Sequence, residues 1–379
     1  MSEWKKTRLG DVISTNIASY STKEGWEFVN YLDTGNITEN VIADIQRINL
    51  STEKLPSRAK RKVQYNSILY STVRPNQRHY GIVKESPENF LVSTGFTVID
   101  VDEEKVDADF LYFLLTQDSL VELLHSIAEQ SVSAYPSIKA SDIENLEVEL
   151  PPLIEQKKIA SILNTISDKM RQNTEVNKNL EEQASAIYQA WFEDFTPFDG
   201  NCPAEWKQGV LSDIANVTSG KRPPMKSAEK TDIAPIPLVG AASVMGFTSE
   251  SNHVDKILVT GRVGTHGVVQ RFSTPCWTSD NTLVITSDLY EYTYQILQRI
   301  DYHAMNRGST QPLITQGDMN KVAILIPDRQ TLDDFEALVG QLMLQCEANL
   351  LENAKLTELR DSLLPRLMSG ELDVSDIDF

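Results

Sequence analysis

The stretch PPLIEQKKIASILNTI (151–166) sets two prolines directly after an alternating segment, NLEVEL (145–150), and then continues with the spacing of an amphipathic helix. Alternation of apolar and polar residues is the period of a half-buried strand, whereas apolar residues recurring at three and four positions mark a helix. Proline is tolerated in a first helical turn because its missing N–H would be unpaired there. A strand therefore ends at 150 and a long helix begins. The same junction recurs 176 residues later, where VAILIP (322–327) leads into another helical stretch.

Working outward from that junction, the whole chain repeats itself, and such a repeat fixes the architecture before any single element does. WKKTRLGDVI (4–13) resembles WKQGVLSDIA (206–215), and SILYSTVRPNQRHYGIV (67–83) resembles KILVTGRVGTHGVV (256–269). VSTGFTVID (92–100) matches WTSDNTLVI (277–285), and SVSAYPSIKASDIENLEVELP (131–151) matches GSTQPLITQGDMNKVAILIP (308–327). Each copy is a mixed domain followed by a helical segment. Short alternating strands and turn chemistry such as RPN, GKRPP and NRGSTQP point to an α+β recognition-type domain. The boundaries read 1–152 for the first domain, 153–198 for the first helical region, 199–328 for the second domain and 329–379 for the second helical region and tail.

Both helical regions carry seven-residue ladders. In the first they run Ile159, Ile166, Asn173, Leu180, Ile187 and Leu163, Met170, Asn177, Ala184, Trp191. In the second they run Phe335, Leu342, Asn349, Leu356, Leu363 and Val339, Cys346, Asn353, Arg360, Leu367. These are coiled-coil seams. A helix of about 43 residues is roughly 60 Å long, the length of a spacer. Antiparallel pairing would bring the four mid-helix asparagines together, and buried seam asparagines fix register at some cost in stability. The other reading is that each segment breaks at its asparagines into two helices with a solvated joint.

The net charge of −19 argues against a nucleic-acid partner when taken alone, because affinity for DNA rests on Lys and Arg neutralising phosphates. The distribution reverses that argument. Lys54 to Lys84 holds eight basic residues and no acid, whereas residues 331–379 carry 3 basic and 11 acidic groups. A local basic patch binds a polyanion while the rest of the molecule stays acidic. Arg58, Lys60, Arg61 and Lys62 lie in that patch. Arg74 and Arg78 can fork onto guanine, and Asn76 and Gln77 can pair with adenine. The second copy offers Lys221, Arg222, Lys226, Arg262, His266, Arg307, Thr310 and Gln311 in its corresponding loops.

Signatures of catalysis are missing. There is no phosphate-binding G-x-x-x-x-G-K-[ST] loop, no G-x-G-x-x-G, no H-E-x-x-H and no G-x-S-x-G, and the N/D-P-P-Y/F tetrapeptide of amino-methyltransferases is absent. The five histidines are scattered, and Cys202, Cys276 and Cys346 lack metal-ligand spacing and read as core thiols. The start MSEWKKTRLGD lacks a signal-peptide core and no apolar run reaches a membrane span, so a cytoplasmic location is expected. SGELDVSDIDF (369–379) reads as a solvating or partner-facing tail.

LPPLIEQKKIASIL (150–163), AIYQAWFEDFTPF (186–198), GSTQPLI (308–314) and LTELRDSLLPRLMSGEL (356–372) resemble hallmark segments of the specificity subunits of Type I restriction-modification systems. The resemblance covers the whole chain. It implies two pseudo-symmetric target-recognition domains separated by two long helices in an antiparallel coiled coil, and a non-catalytic role in DNA methylation and antiviral defence. It also implies double-stranded DNA and two methyltransferase subunits as partners, with restriction subunits joining that core and S-adenosylmethionine, ATP and Mg used by the partners. Partner docking is then expected at Leu153, Glu155, Gln156, Ile159, Phe192, Leu363, Leu364 and Leu367. The second copy departs from the pattern, with PDRQTL (327–332) in place of PPLIEQ, which puts equal docking at both ends in question. Rival readings are a coiled-coil protein-binding adaptor without DNA specificity, a fused restriction-methylation enzyme, and an orphan or competitor subunit.

Overall fold

The computed structural model describes residues 4–131, 135–265, 267–305, 313–374 and 377. It divides into two compact units, one of residues 1–172 with 352–379 and one of residues 173–351. In the first unit, strands Ile13–Thr15, Phe96–Val101, Ile68–Ser71 and Tyr80–Ile82 form one four-stranded sheet in that order. A second sheet orders Gln46–Asn49, Phe28–Leu32, Phe90–Ser93 and Ala59–Arg61, with its two central strands parallel. Lys5–Arg8 pairs with Glu147–Leu150, the strand that the alternating sequence predicts.

The second unit repeats this plan. Asn216–Ser219, Thr282–Thr286, Ile257–Gly261 and Gln270–Phe272 reproduce the first sheet order, and Lys207–Val210 pairs with Ala323–Ile326. Its other sheet again contains one parallel pair, Ile236–Val239 with Trp277–Thr278. The short helices Ala140–Glu144 and Gln316–Asn320 and the long helices Leu153–Phe192 and Arg329–Met368 are each displaced by the predicted 176 positions. No helix among the described residues is long and apolar enough to cross a membrane.

Both long helices are continuous over 40 residues. They pair within each unit, and in each the numbering runs in opposite directions on the two partners. In the first unit Lys169 pairs with Glu352 at 3.2 Å, the Asn353 amide donates to the Met170 carbonyl at 3.1 Å, and Leu163 shares a core with Leu367. In the second unit the Asn177 amide donates to the Cys346 carbonyl at 3.1 Å, and Asn349 donates to the Asn177 side chain at 2.7 Å. Further along, Ala184, Tyr188 and Phe192 pack with Val339, Phe335 and Leu332. Asn173, Asn177 and Asn349 are buried and Asn353 partly so, inside helices that run on without a break, so the solvated joint is excluded. A buried amide with an unmet donor costs about 1–3 kcal/mol, which makes this register hard to slip.

The repeated tryptophans anchor the helix starts. Trp4 donates its indole N–H to Glu155 at 3.3 Å, and Trp206 donates to Asp328 at 3.1 Å. Asp328 also accepts from the Thr331 N–H at 3.0 Å and the Thr331 hydroxyl at 2.6 Å, capping the helix. Those bonds hold its carboxyl below the ordinary range. Asp328→Ala is expected to cost about 1 kcal/mol, as loss of a helix cap does. Because the folded pKa is depressed, this stabilisation is complete above the unfolded value near 4 and fades as pH falls through the folded one. Urea midpoints at pH 7 and pH 3 check it: wild type and variant should differ at the first and converge toward the second.

Two elements of the second unit are tied to the second long helix by charge. Arg271 forks onto Glu291 at 2.6 and 2.7 Å, approaches Glu347 at 3.8 Å, and lies over the rings of Tyr290 and Tyr294 at 4.8 and 4.7 Å. Glu336 accepts from the N–H groups of Glu291 and Tyr292, at 3.0 and 2.7 Å, at the start of helix Tyr290–Arg299. Burial nonetheless pushes the Glu336 carboxyl up.

Two expectations are corrected. The tail is not free as far as residue 374, because Leu372 and Val374 pack into the first unit's core and Gly370 lies against the Trp4 indole. Apolar positions at 372 and 374 outweigh the single acid, Asp373, between them. Cys276 and Cys346 are buried as expected, whereas Cys202 is exposed.

Candidate nucleic-acid interface

In the first unit, strand Ala59–Arg61 borders its sheet, with Ala59 buried and Lys60 exposed. The Thr94 N–H donates to the Arg58 carbonyl at 2.8 Å, and the Arg61 guanidinium donates to the Thr94 carbonyl at 3.4 Å. From the other side, Thr72 donates to the Gly95 carbonyl with its N–H and its hydroxyl, both at 2.8 Å. The turn around Thr94 and Gly95 is thus held between two basic segments that are separate in the sequence. Arg74, at a left-handed φ of 48°, caps the tight turn Pro75–Gln77, donates its N–H to the Pro136 carbonyl at 3.0 Å, and places its guanidinium over the Tyr135 ring. Arg58, Lys60, Arg74, Asn76 and Gln77 are all exposed.

Three other basic residues of this unit, Arg78, Lys62 and Arg61, are engaged with the fold. Arg78 pairs with Asp118 at 2.6 Å and with Glu39 at 3.5 Å, so it bridges a loop and a helix and would have to exchange these exposed partners to fork onto a base. The bond to Asp118, with a smaller contribution from Tyr80, raises its pKa further. Lys62 pairs with Glu24 and lies 5.1 Å from the Trp26 ring centre. Arg61 is half-buried, which lowers its pKa. None of these three acidic partners is near its arginine or lysine in sequence.

The second unit gathers its basic loops on the equivalent turn. The Lys221 N–H donates to the Thr278 carbonyl at 2.9 Å, the Trp277 indole donates to the Lys221 carbonyl at 2.8 Å, and the Arg262 N–H donates to the Asn281 carbonyl at 2.8 Å. Gly220 is required for this approach, since a Cβ there would lie 2.1 Å from the Ser279 carbonyl oxygen. Lys221, Arg222 and Lys226 are exposed and Arg262 is partly so. The carbonyls of Thr72 and Arg262 accept from Ile138 and Ile314 respectively, at 2.8 and 3.0 Å, so Arg262 occupies the place of Thr72. Arg74 has Gly264 as its counterpart, and the loops correspond although their arginines do not. His266, Arg307, Thr310 and Gln311 lie outside the described residues.

The residues expected to dock a partner divide by burial. Gln156, Ile159, Phe192 and Leu367 are interior. Gln156 accepts from the Asp107 N–H at 2.9 Å and donates to the carbonyls of Lys105 and Pro151 at 3.2 and 2.9 Å, which fastens the helix to its own domain. Its polarity serves the fold, and the same holds for the apolar three. Leu153, Glu155, Leu363 and Leu364 are partly exposed.

Two copies of one α+β domain, each with basic loops gathered on the same turn and each joined to a long helix, define a two-headed recognition protein. The chain belongs to the family of the Type I restriction modification DNA specificity domain, whose model matches residues 1–182 and 203–340. It is 25% identical to the specificity subunit of the Type I restriction enzyme HindI of Haemophilus influenzae, over 98% of this chain and 100% of that protein. It is 26% identical to the MjaIX specificity subunit of Methanocaldococcus jannaschii, over 97% of this chain and 93% of that one. The crystal structure of a Type I restriction-modification S subunit from M. genitalium shares the fold with a TM-score of 0.61 at 17% identity, covering 97% of this chain and 96% of that chain.

Proposed function

We propose that this chain supplies the DNA specificity of a Type I restriction-modification complex, each unit's domain reading one half of a bipartite double-stranded site. The convergence of basic loops on the same turn in both repeats carries this reading. The paired helices set the unread gap between half-sites and carry two methyltransferase subunits, through which restriction subunits join. Leu153, Glu155, Leu363 and Leu364 are the accessible candidates for that docking. The chain itself catalyses nothing in this scheme. S-adenosylmethionine, ATP and Mg act on the partner subunits, in the cytoplasm. Full-length coverage of two specificity subunits supports the assignment.

Physically, Arg58, Lys60, Lys221, Arg222 and Lys226 neutralise phosphates and fix orientation, while Arg74, Asn76 and Gln77 have the donor and acceptor sets that discriminate bases in the major groove. Long-read methylomes test the reading. Plasmid DNA from a methylation-free host should carry a new bipartite motif when this chain is expressed with its methyltransferase and not with the methyltransferase alone; a complex that forms without any motif would sink the proposal. In binding assays, the triple variant Arg58→Ala, Lys60→Ala, Arg74→Ala should lower the slope of log K against log salt by about 0.9 for each phosphate that is no longer neutralised. An unchanged slope would remove these residues from the interface.

A further inference from the structure

We propose that the tip of the turn Ser279–Thr282 is a base-reading element of the second unit, in which Asp280 accepts from the N4 amino group of a cytosine and Asn281 pairs with an adenine. The inference rests on the DNA-reading role above and deepens it.

The turn is closed by Thr282, whose N–H and hydroxyl donate to the Ser279 carbonyl at 3.1 and 2.7 Å. Asp280 and Asn281 are therefore its two central residues, and both are exposed. Aspartate and asparagine are common in turns because their side chains bond the local backbone. Here neither side chain makes a hydrogen bond or ion pair among the described residues. Among the described residues the fold does not use the Asp280 carboxylate.

Its surroundings make an idle carboxylate unfavourable. The Lys221 N–H bonds Thr278 on one side of the turn, and the Arg262 N–H bonds Asn281 on the other. A negative charge at the centre of a phosphate-binding surface weakens binding to every sequence unless a donor meets it. A carboxylate only accepts. In the major groove, cytosine presents the N4 donor, and adenine presents a donor beside the N7 acceptor, which repels a carboxylate and suits an amide. Asp280 thus selects cytosine and Asn281 adenine.

The first unit supplies the comparison. The bond from Thr72 to Gly95 matches that from Arg262 to Asn281, so Thr94 and Gly95 occupy the places of Asp280 and Asn281. One scaffold carries two different sets of tip chemistry, as the reading of two different half-sites requires.

The test uses the full chain in complex with its methyltransferase. Asp280→Asn sits on an exposed tip and removes only the charge. The methylome is expected to keep one half-site and the spacer unchanged, and to lose cytosine preference at one position of the other by about tenfold to hundredfold. Independently of any variant, N4-methylcytosine placed at that position should weaken binding of the wild-type complex by about tenfold or more. A motif unchanged by Asp280→Asn, or wild-type binding indifferent to N4-methylation at every cytosine, overturns the assignment alone. Failure of the wild-type chain to direct any bipartite motif overturns the DNA-reading role and the assignment with it.

Discussion

Arg271→Ala is expected to destabilise the second unit by about 3–5 kcal/mol, the range for removing one partner of a buried ion pair. The Arg271 and Glu291 side chains are 13% and 5% exposed, so deletion leaves a carboxylate in the interior with Glu336 and Glu347 nearby. The stacking of the guanidinium between Tyr290 and Tyr294 disappears as well. Urea unfolding of the full chain followed by far-ultraviolet circular dichroism measures the loss. The double variant Arg271→Met, Glu291→Gln should recover much of it, because the buried charge is gone along with its partner. A loss below about 1 kcal/mol in the single variant would show that water reaches Glu291.

Inserting one helical turn into each long helix is expected to lengthen the unread spacer of the methylated motif by one or two base pairs and to leave both half-sites unaltered. Four residues add about 6 Å, close to two base-pair steps. Placed between Gln172 and Asn173 and between Leu351 and Glu352, the insertions retain the Asn353–Met170 bond on one side and the Asn177–Asn349 bond on the other. The effect is qualitative, since a target with the old spacing should no longer be methylated. An insertion variant that still methylates the original motif would show that the helices do not set the spacing.

The helices and the repeat are legible in the sequence because periodicity is a local property. A seven-residue ladder, a proline after an alternating strand and a constant offset of 176 each require only neighbouring letters or a self-comparison. The basic loops are legible as groups for the same reason. Their sorting is not, because it depends on pairings between distant positions. Arg78 is engaged by Asp118 and Glu39, and Lys62 by Glu24. The resemblance of the PPLIEQ segment makes Gln156 an expected docking residue, yet its amide is consumed by three backbone groups around it. Asp280 and Asn281 carry no positive charge, so the pattern of basic loops does not mark them. Their signal is the internal mismatch between VSTGFTVID and WTSDNTLVI, which the structure aligns one residue out of the register read from the sequence, with Phe96 and Thr282 equivalent, so that the strands agree and the turn does not.

The docking of the tail has a consequence for the order in which the protein is made. The core that contains Leu9, Leu111 and Leu163 also contains Leu367, Met368 and Val374, so the unit that begins earlier in the chain is completed by residues that follow the whole of the second unit. The second unit is one uninterrupted stretch, residues 173–351, and can close as soon as that stretch has emerged from the ribosome. Synthesis proceeds from the N-terminus, yet folding finishes there. Until residues 352–374 emerge, the nascent first domain shows an apolar face that this missing segment will cover, which makes it the natural client of chaperones. A released chain truncated after Leu351 should therefore be cut by protease in the first unit and resist it in the second.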